Sequence, residues 1–474
     1  MTLRLHNSLS GAKEEFRPIE PGVARIYTCG PTVWNYPHVG NFRAFLFYDL
    51  LRRHLQFRGY QVVHVMNITD VDDRIIEQAD AAGVSIGEFT RRYEEAFFED
   101  LRSLRAQPAE IYPRATGHVE EMILLIERLL ADGHAYRAED GDVYFRIASF
   151  PAYGKLSHLD RSGLRAGARV ATDKYEKESA SDFALWKAAA DRDERVGAAY
   201  EAPFGRGRPG WHIECSAMAM KYLGETLDIH AGGVDLLFPH HENEIAQSEG
   251  ATGRTFARYW LHSEFVADAT GSKMSKSEGN VTSLRALLEA GHDPVAVRLF
   301  LISNAHYRAR LRITDEGLHS AAEQVRRLRD LEQRLRELVP SPEADGGAIR
   351  VAAEETLQAY GEALDDDLNL PLGLGRVFEL VREANSALDA GQVGAAAREV
   401  LLRLLAAVDA HLDVLRAPEA VLEAEVERLI AERQEARRTR DFSRADRIRD
   451  ELRARGIVLE DSRDGVRWRL VGRT

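Results

Sequence analysis

Two cysteines and a histidine–glutamate pair are the residues of this chain that could hold a soft metal ion. Cys29 and Cys215 are its only cysteines, and a His-His-Glu segment follows further along. If Pro239–Glu244 begins a helix at its proline, His240 and Glu244 are four residues apart and share one face. One thiolate at a strand end, a second in a loop and this pair would give zinc four ligands.

The pattern alone leaves other interpretations open. None of these candidates shows the Cys-x-x-Cys spacing that is typical of zinc sites. In a reducing compartment, two separate thiols often pack simply as small apolar groups. A His-His-Glu cluster is more often a helix cap or a solvated face. The sequence also does not decide whether His240 or His241 would face a metal.

A second group of residues could bind phosphates. Gly30 and Thr32 follow a predicted strand, and His38-Val39-Gly40-Asn41 opens the helix predicted after it. Free backbone N–H groups and the helix dipole favour an anion at such a helix start. Gly40 would let the backbone approach a ligand closely, and His38 can donate to a phosphate oxygen. A plain strand-to-helix turn is the alternative.

A loop of small polar residues carries two lysines three positions apart. Lys273 and Lys276 lie in Gly271-Ser272-Lys273-Met274-Ser275-Lys276-Ser277. Such a loop can move and bring ammonium groups onto a triphosphate. Alone, it is also compatible with a solvated basic loop. Together with the residues around His38, it indicates a nucleotide site.

An acidic segment, Asn67–Asp73, follows the second predicted strand. Its three aspartates, Asp70, Asp72 and Asp73, could bind a cation or a substrate ammonium. We expect them instead to cap the helix that begins there, because carboxylates accept hydrogen bonds from free N–H groups. Thr69 remains a candidate pocket residue.

The elements that position these residues are predicted to form a βαβ unit. Residues 24–29 are predicted to form a strand, residues 42–58 a helix and residues 61–67 a second strand. A βαβ unit predicts a parallel sheet. Strand signals return at residues 227–230 and 259–262, so the sheet is expected to continue there.

The remaining stretches predict an interrupted α/β domain followed by helices. A hairpin turning at Asp140-Gly141 lies in the region between the two halves of the sheet. Beyond residue 304 the periodicity is almost entirely helical, and the chain closes with a charged helical pair and a small hairpin. The predicted domains are a catalytic domain from 1–90 and 211–304, an insertion over 91–210, a helical bundle over 305–415 and a C-terminal unit over 420–474.

Composition excludes several classes of protein. The 474 residues are 45% hydrophobic and 29% charged, which is typical of a globular chain. No apolar stretch is long enough to span a membrane, and no secretory signal is visible, so a cytoplasmic protein is expected. The net charge is −13, but residues 431–474 carry thirteen arginines against nine acidic residues. That end could present a local basic surface to a nucleic acid or a solvated helix of mixed charge.

Taken together, the motifs resemble the cysteinyl-tRNA synthetase family, one of the class I aminoacyl-tRNA synthetases. The resemblance runs from about Leu5 to about Trp468. The matching segments are Cys29–Thr32, His38–Asn41, Trp211–Met218, Phe238–Glu244, Lys273–Ser277, Asp365–Asn369 and Asp441–Asp450.

The resemblance implies a Rossmann-like catalytic domain that activates L-cysteine with ATP and transfers it to tRNA(Cys). It also implies an all-α bundle on the stem and anticodon side and a small C-terminal tRNA-binding unit. One Zn²⁺ per chain would be held by Cys29, Cys215, His240 and Glu244, and would bind the substrate thiolate. Mg²⁺ would accompany ATP.

The resemblance further assigns the pocket residues. The catalytic residues would be His38, Asn41, Lys273 and Lys276, and Lys276 would also bind the departing pyrophosphate. The substrate and ATP site would contain Gly30, Thr32, Gly40, Thr69, Trp211 as a pocket wall and Asp235 near the ribose. Three positions depart from the family pattern, and one of them is Phe204, which stands where a tryptophan is common. Asn41 replaces the last histidine of the first signature, and Glu278 after the second is expected to point to solvent.

Two other functions are compatible with parts of the pattern. A cysteine–amino-sugar ligase of the same superfamily would need only the catalytic half, whereas the arginine-rich residues 420–474 favour tRNA. A non-catalytic tRNA-binding protein would not need the intact His38/Gly40 and Lys273/Lys276 pairs. A monomer without membrane contact is expected.

Overall fold

A computed structural model describes residues 2–158, 182–268, 282–340, 346–415, 418–439, 441–454, 457–462 and 465–470. These residues form two compact units, Met1–Leu412 and Asp413–Thr474. Within the described ranges, no helix is both long enough and apolar enough to cross a bilayer.

Strands and helices are labelled in chain order. The strands are β1 Arg4–Asn7, β2 Ala12–Glu15, β3 Val23–Thr28, β4 Gln61–Met66, β5 Ala135–Arg137, β6 Val143–Phe145, β7 Phe183–Ala188, β8 Gly207–Pro209, β9 Leu227–Gly233, β10 Ala257–Ser263, β11 Val266–Ala267, β12 Leu311–Arg312, β13 Ile457–Ser462 and β14 Gly465–Leu470. The helices are α1 Val39–Phe57, α2 Asp73–Ala82, α3 Ile86–Ser103, α4 Val119–Ala131, α5 Asp191–Val196, α6 Trp211–Leu223, α7 Glu242–Thr252, α8 Leu284–Glu289, α9 Pro294–Ser303, α10 Asp315–Glu337, α11 Gly347–Asp365, α12 Leu370–Asp389, α13 Ala395–Leu412, α14 Pro418–Arg438 and α15 Phe442–Ala454.

A four-stranded parallel sheet forms the centre of the first unit. Its order is β10-β9-β3-β4, so the predicted βαβ unit is confirmed and the two later strands join beside β3. The carboxyl ends of parallel strands lie at one edge, which is where ligands bind in sheets of this kind. Cys29, at the end of β3, therefore lies at the functional edge.

The region between β4 and β9 contains a sheet of its own. Strands β5, β6, β7 and β8 pair antiparallel in that order, and the β5–β6 pair is the predicted hairpin. Its core includes Trp186, which contacts the ring of Phe204 edge-on with ring centroids 5.3 Å apart. Strand β8 ends at Pro209, two residues before α6 begins at Trp211, so the antiparallel sheet connects directly to α6.

Helix α1 is buried on almost every side, although its sequence contains several charged residues. Arg43, Asp49 and Arg53 are all less than a tenth exposed. Arg298 on α9 pairs with Asp49, and the Arg53 Nε lies 2.8 Å from Oδ2 of the same carboxylate. Buried charges persist only when paired in this way. Helix α1 is thus embedded between the sheet and the helices that follow.

The second unit has a small core of its own. Helices α14 and α15 precede the antiparallel pair β13–β14, as the sequence predicts. Leu429, Ile448, Leu452 and Ile457 are buried together between the helices and the first strand.

Candidate active site

A cavity of about 560 Å³ opens at the carboxyl edge of the parallel sheet. It is bounded by the loop after β3, the start of α1, the end of β9 and the segment after β10. Eight predicted site residues line it: Cys29, Gly30, Thr32, His38, Gly40, Asn41, Trp211 and Asp235. Lys273 and Lys276 lie outside the described residues, as does Glu278.

The loop after β3 depends on a glycine at its first position. The Gly30 N–H donates to Oδ1 of Asn67, 2.9 Å away at the end of β4. A Cβ at Gly30 would stand 1.8 Å from the backbone oxygen of Asn67, which is a prohibitive contact. A side chain here would push the loop away from the sheet, and Cys29 and Thr32 would move with it.

His38 and Asn41 cap each other at the start of α1. The Asn41 backbone N–H donates to Nδ1 of His38 at 3.3 Å, and Oδ1 of Asn41 accepts from the His38 backbone N–H at 3.1 Å. This reciprocal pair is a capping box. Asn41, which departs from the family pattern, therefore has a local structural role. The free helix end itself faces the cavity and can bind an anion.

Four buried side chains that could bind a metal ion converge at Cys29, which lines the cavity, and this buried side is its closed end. The donor atoms of Cys29, Cys215, His240 and Glu244 all lie within 4.8 Å of one another, and all four residues are buried. The two sulfurs are 4.0 Å apart. The Nε2 of His240 lies 3.1 Å from Oε1 of Glu244. The predicted set is thus brought together from three separate parts of the chain.

These separations match a tetrahedral zinc shell. With Zn–S bonds of about 2.3 Å, two sulfur ligands lie about 3.8 Å apart, and nitrogen and oxygen ligands lie about 3.3 Å apart. The observed 4.0 and 3.1 Å differ from these values by only a few tenths of an ångström. Two thiolates, an imidazole and a carboxylate are also a donor set that zinc favours.

Two details of the predicted set are corrected. Cys215 lies on helix α6 rather than in a loop, so regular structure holds its sulfur. Helix α7 begins at Glu242, three residues later than predicted from Pro239, and His240 lies in the distorted turn before it. The four-residue spacing nevertheless brings His240 and Glu244 into contact.

The ionisable side chains of the cluster shift one another's pKa values. Burial and the neighbouring Cys215 raise the pKa of Cys29, while the hydrogen bond from Cys29 lowers the pKa of Cys215 to about 6. Against the effect of burial, His230 and His240 lower the pKa of Glu244 to about 2. Also against burial, Glu244 and Cys215 raise the pKa of His240 to about 10. A divalent cation would replace these bound protons.

A second set of histidines surrounds these four residues, and of these only His241 was considered as a metal ligand from the sequence. The His230 Nε2 lies 2.8 Å from Oε2 of Glu244, and the two Nδ1 atoms of His212 and His240 are 2.9 Å apart. His241 bonds His262 through Nδ1 at 2.8 Å, while its Nε2 lies 3.3 Å from the Cys29 sulfur. Such contacts orient metal ligands. For His230 and His262, the sequence signal was a histidine within an otherwise apolar strand.

His241 also lies close to the cluster, so position alone does not separate it from His240. His241 belongs to a second overlapping set with Cys29, His230 and Glu244, but only the His240 set contains both sulfurs. Gly232 makes room for His241, because a Cβ there would stand 2.4 Å from its ring.

The acidic segment after β4 plays three different roles, so the expectation of a common capping role is wrong. Asp72 caps α2 through the Ile75 N–H at 2.7 Å. Asp70 instead accepts from the Thr116 N–H at 2.9 Å, and Asp73 pairs with Lys187 at 2.8 Å.

Thr69 is buried behind the loop that contains Gly30. Its hydroxyl donates to Oε2 of Glu214 at 2.9 Å and accepts from Nδ2 of Asn67 at 3.1 Å. Burial raises the pKa of Glu214 well above its ordinary value. A series of hydrogen bonds therefore joins the loop after β3 to the helix that carries Cys215. It runs from Gly30 through Asn67 and Thr69 to Glu214.

Comparisons with known proteins agree along the whole chain. Residues 15–323 match the family model described as the tRNA synthetases class I (C) catalytic domain, residues 359–415 match the DALR domain, and residues 419–469 match the cysteinyl-tRNA ligase anticodon binding domain. A cysteine–tRNA ligase of Solibacter usitatus is 50% identical over 473 residues, which cover 99% of this chain and all of that protein. The enzyme of the same name from Symbiobacterium thermophilum is 47% identical, with the same coverage.

Solved structures support the fold. The methionyl-tRNA synthetase of Mycobacterium tuberculosis, bound by methionyl-adenylate, matches with a TM-score of 0.63. The match covers 84% of this chain and 95% of that one at 18% identity. At this identity, the likeness concerns the fold alone.

Proposed function

Because the chain belongs to the cysteine–tRNA ligase family of class I aminoacyl-tRNA synthetases, we propose that its buried cluster selects cysteine and that the start of α1 binds ATP. The chain is an enzyme that ligates cysteine to tRNA, with the amino acid, ATP and tRNA as its substrates. The observation that carries the proposal is that Cys29 of this buried cluster lines the same cavity as the capped start of α1, which is the open end.

At the closed end, Cys29, Cys215, His240 and Glu244 would hold one Zn²⁺. Zinc binds a soft thiolate far more strongly than a hydroxyl and lowers the pKa of a bound thiol. An apolar pocket by itself distinguishes such similar side chains by only about 10²-fold. These four residues would therefore let the enzyme reject serine and alanine at the binding step. Trp211, on the cavity wall, would cover the bound amino acid.

At the open end, the residues of this chain would orient ATP for attack by the cysteine carboxylate on the α-phosphorus. The N–H groups at the start of α1 and the ring of His38 would neutralise charge on the phosphates, and Gly40 would let them approach. Asp235 would accept from the ribose hydroxyls. Lys273 and Lys276 would hold the pyrophosphate, and Mg²⁺ would accompany ATP.

The remaining domains would bind tRNA. We propose the boundaries predicted from the sequence, with the catalytic domain from 1–90 and 211–304, the insertion over 91–210, the stem-side bundle over 305–415 and the anticodon-binding unit over 420–474. A cytoplasmic location and a monomeric state stay predictions, and light scattering after gel filtration tests the second.

The proposal is tested on one purified sample by metal analysis and by ATP–pyrophosphate exchange. We expect about one zinc per chain and exchange that depends on L-cysteine but not on L-serine. Removal of the metal with a chelator should abolish exchange, and added Zn²⁺ should restore it.

A preparation free of metal that still prefers cysteine to serine would refute the role of the cluster. Ser248→Ala is a matched control on α7, because the Ser248 hydroxyl is buried and has no hydrogen-bond partner among the described residues. This variant should retain both the zinc and the exchange rate.

A further inference from the structure

The segment Asp365–Asn369 joins helices α11 and α12, far along the chain from the active-site motifs. Its three successive carboxylates have different partners. Asp366 is half exposed and pairs with Lys13 at 2.8 Å, whereas Asp365 and Asp367 are buried. Placing three adjacent carboxylates together costs free energy unless hydrogen-bond donors or cations pair with each of them. The two buried carboxylates, Asp365 and Asp367, bind different parts of the first unit.

Asp367 holds the linker that connects the catalytic domain to the helices. Its backbone has φ +66°, in the left-handed region, and its side chain is fully buried. Oδ1 accepts from the Tyr307 hydroxyl at 2.6 Å and Oδ2 from Nε of Arg308 at 2.7 Å. The backbone oxygen of Asp367 lies 2.9 Å from Nε2 of His306. Three consecutive linker residues are therefore bound to one aspartate.

The same linker provides acceptors for a buried arginine at the start of α1. Arg43 donates to the backbone oxygen of His306 at 3.0 Å and to that of Ala309 at 2.6 Å. Its other terminal nitrogen donates to the backbone oxygen of Phe265 at 3.0 Å. Phe265 lines the cavity, and Arg43 is two residues beyond Asn41.

Backbone carbonyl oxygens accept the hydrogen bonds of the Arg43 guanidinium, so its position depends on where the backbone lies. Burial lowers the pKa of Arg43 to about 10, against the opposing charge of Glu264, and the group stays charged at neutral pH. A buried cation with displaced acceptors would lose several hydrogen bonds at once. A shift of the linker therefore acts directly on the first turn of α1.

Asp365 binds the opposite end of the same helix. Its Oδ1 lies 3.1 Å from Nε2 of His54, in the last turn of α1, and 3.3 Å from Nε of Arg58. Helix α1 is thus attached to the Asp365–Asp367 segment at both ends, directly through His54 and by way of the linker through Arg43.

We propose that Asp367 is a positioning residue for cysteinyl-adenylate formation, acting through the 306–309 linker and Arg43 to set the start of α1 against the ATP cavity. This rests on the proposed function of that cavity. The stem-side helices would then be part of the ATP site, although none of their atoms need touch the nucleotide. A displacement of about 1 Å in such a site can cost about 10²-fold in rate.

The test compares Asp367→Asn with Asp366→Asn. The two variants remove the same charge from adjacent residues, and asparagine tolerates a positive φ. In ATP–pyrophosphate exchange corrected for active sites, Asp367→Asn should raise the KM for ATP about tenfold and leave the KM for cysteine and the zinc content unchanged. Asp366→Asn should match the wild type in every measurement.

Two further variants keep the test decisive if Asp367→Asn does not fold. Arg308→Gln removes a partner that is only partly buried, and Tyr307→Phe removes one hydroxyl while keeping the ring stacked on Phe47 at 4.3 Å. Each should raise the KM for ATP severalfold. Combined with Arg43→Lys, each should add less than its separate effect, because the residues act through one path.

A merely structural role would lower the active fraction and the melting temperature without changing the KM for ATP in the folded enzyme, and that result would overturn the proposal. Equal behaviour of the Asp366 and Asp367 variants would also overturn it. Failure of the proposed function gives a different result, because the wild type itself would then show no cysteine-dependent exchange.

Discussion

The two ends of the active-site cavity are built in opposite ways. At the closed end, Cys29, Cys215, His240 and Glu244 are at most 6% exposed, and histidines with hydrogen bonds of their own surround them. At the open end, Asn41 is exposed, and the groups proposed to bind the ATP phosphates are the ring of His38 and the backbone N–H groups at one helix start.

This difference agrees with what each end would do in the proposed function. Telling a thiol from a hydroxyl requires ligands fixed to within a fraction of an ångström, which buried side chains on regular elements provide. Admitting ATP and releasing pyrophosphate requires an accessible surface that binds charge without enclosing it. Substitutions at the closed end should therefore remove selectivity and metal together, whereas those at the open end should change rates and leave the metal in place.

The largest effect is expected for Cys215→Ser. A hydroxyl is a poor zinc ligand, and the change also leaves Glu244 and Cys29 buried without their cation. Zinc content should fall to background and kcat/KM for cysteine in exchange should drop by more than about 100-fold. Metal analysis and exchange kinetics on one sample measure both. A variant that keeps its full zinc content would show that Cys215 is not a ligand.

Gly30→Ala should damage both ends at once, by about 100-fold in kcat/KM for cysteine and for ATP. The added Cβ meets the backbone oxygen of Asn67, and the loop between Cys29 and Thr32 must move. Gly361→Ala is the matched control, because a Cβ at that position in α11 meets nothing within 4 Å. The control should be fully active and slightly more stable, by about 0.5–1 kcal/mol. Equal activity of the two variants would contradict this role of the loop.

His38→Asn should separate the two ends. Asparagine can still cap the Asn41 N–H, so α1 should keep its start, but the ring proposed to contact the phosphates is lost. We expect kcat for exchange to fall about tenfold, with normal zinc content and an unchanged KM for cysteine. Single-turnover adenylate formation is the direct measurement. Loss of zinc in this variant would mean that the two ends are not independent.

The smallest expected effect is on the free energy of unfolding at acidic pH, and it arises at the C-terminal end of α1. Burial, together with the neighbouring His54, lowers the pKa of His411 to about 3. The pKa of His54 is lowered by burial, with Asp365 opposing. Nδ1 of His54 lies 3.1 Å from Nε2 of His411. With its lowered pKa, the His411 imidazole stays neutral in the folded protein at pH 5.5, whereas in the unfolded chain it binds a proton near pH 6.5.

The direction in which stability changes with pH follows from these lowered pKa values. The stabilising contribution is complete above about pH 6.5 and is lost as the pH falls toward 3, because the unfolded chain then binds more protons. At pH 5.5 the loss is about 1 kcal/mol for His411. His411→Gln should therefore show a smaller drop in the free energy of unfolding between pH 7 and 5.5, while exposed His319→Gln keeps the wild-type drop. Equal drops in all three proteins would refute the assignment.

Much of the site was predictable because its residues are chemically unusual. Two cysteines, a histidine–glutamate pair and a glycine after a strand have few roles in a globular chain, and the structure brings them together around one cavity. The location of Cys215 on a helix was not predictable, since its neighbours are compatible with a loop or a helix. The roles of Asp70 and Asp73 were missed because their partners, Thr116 and Lys187, are distant in the sequence.

By itself, the sequence determined the strand–helix–strand unit around residues 24–67, the helical second half and the residue types that could hold zinc. These follow from periodicity and side-chain chemistry, which are local properties. Only the tertiary structure decided that Arg43 and Asp49 are buried on α1, because in the sequence they look like any solvated helical face. Their partners come from segments hundreds of residues away, and burial of a charge depends on such partners being present.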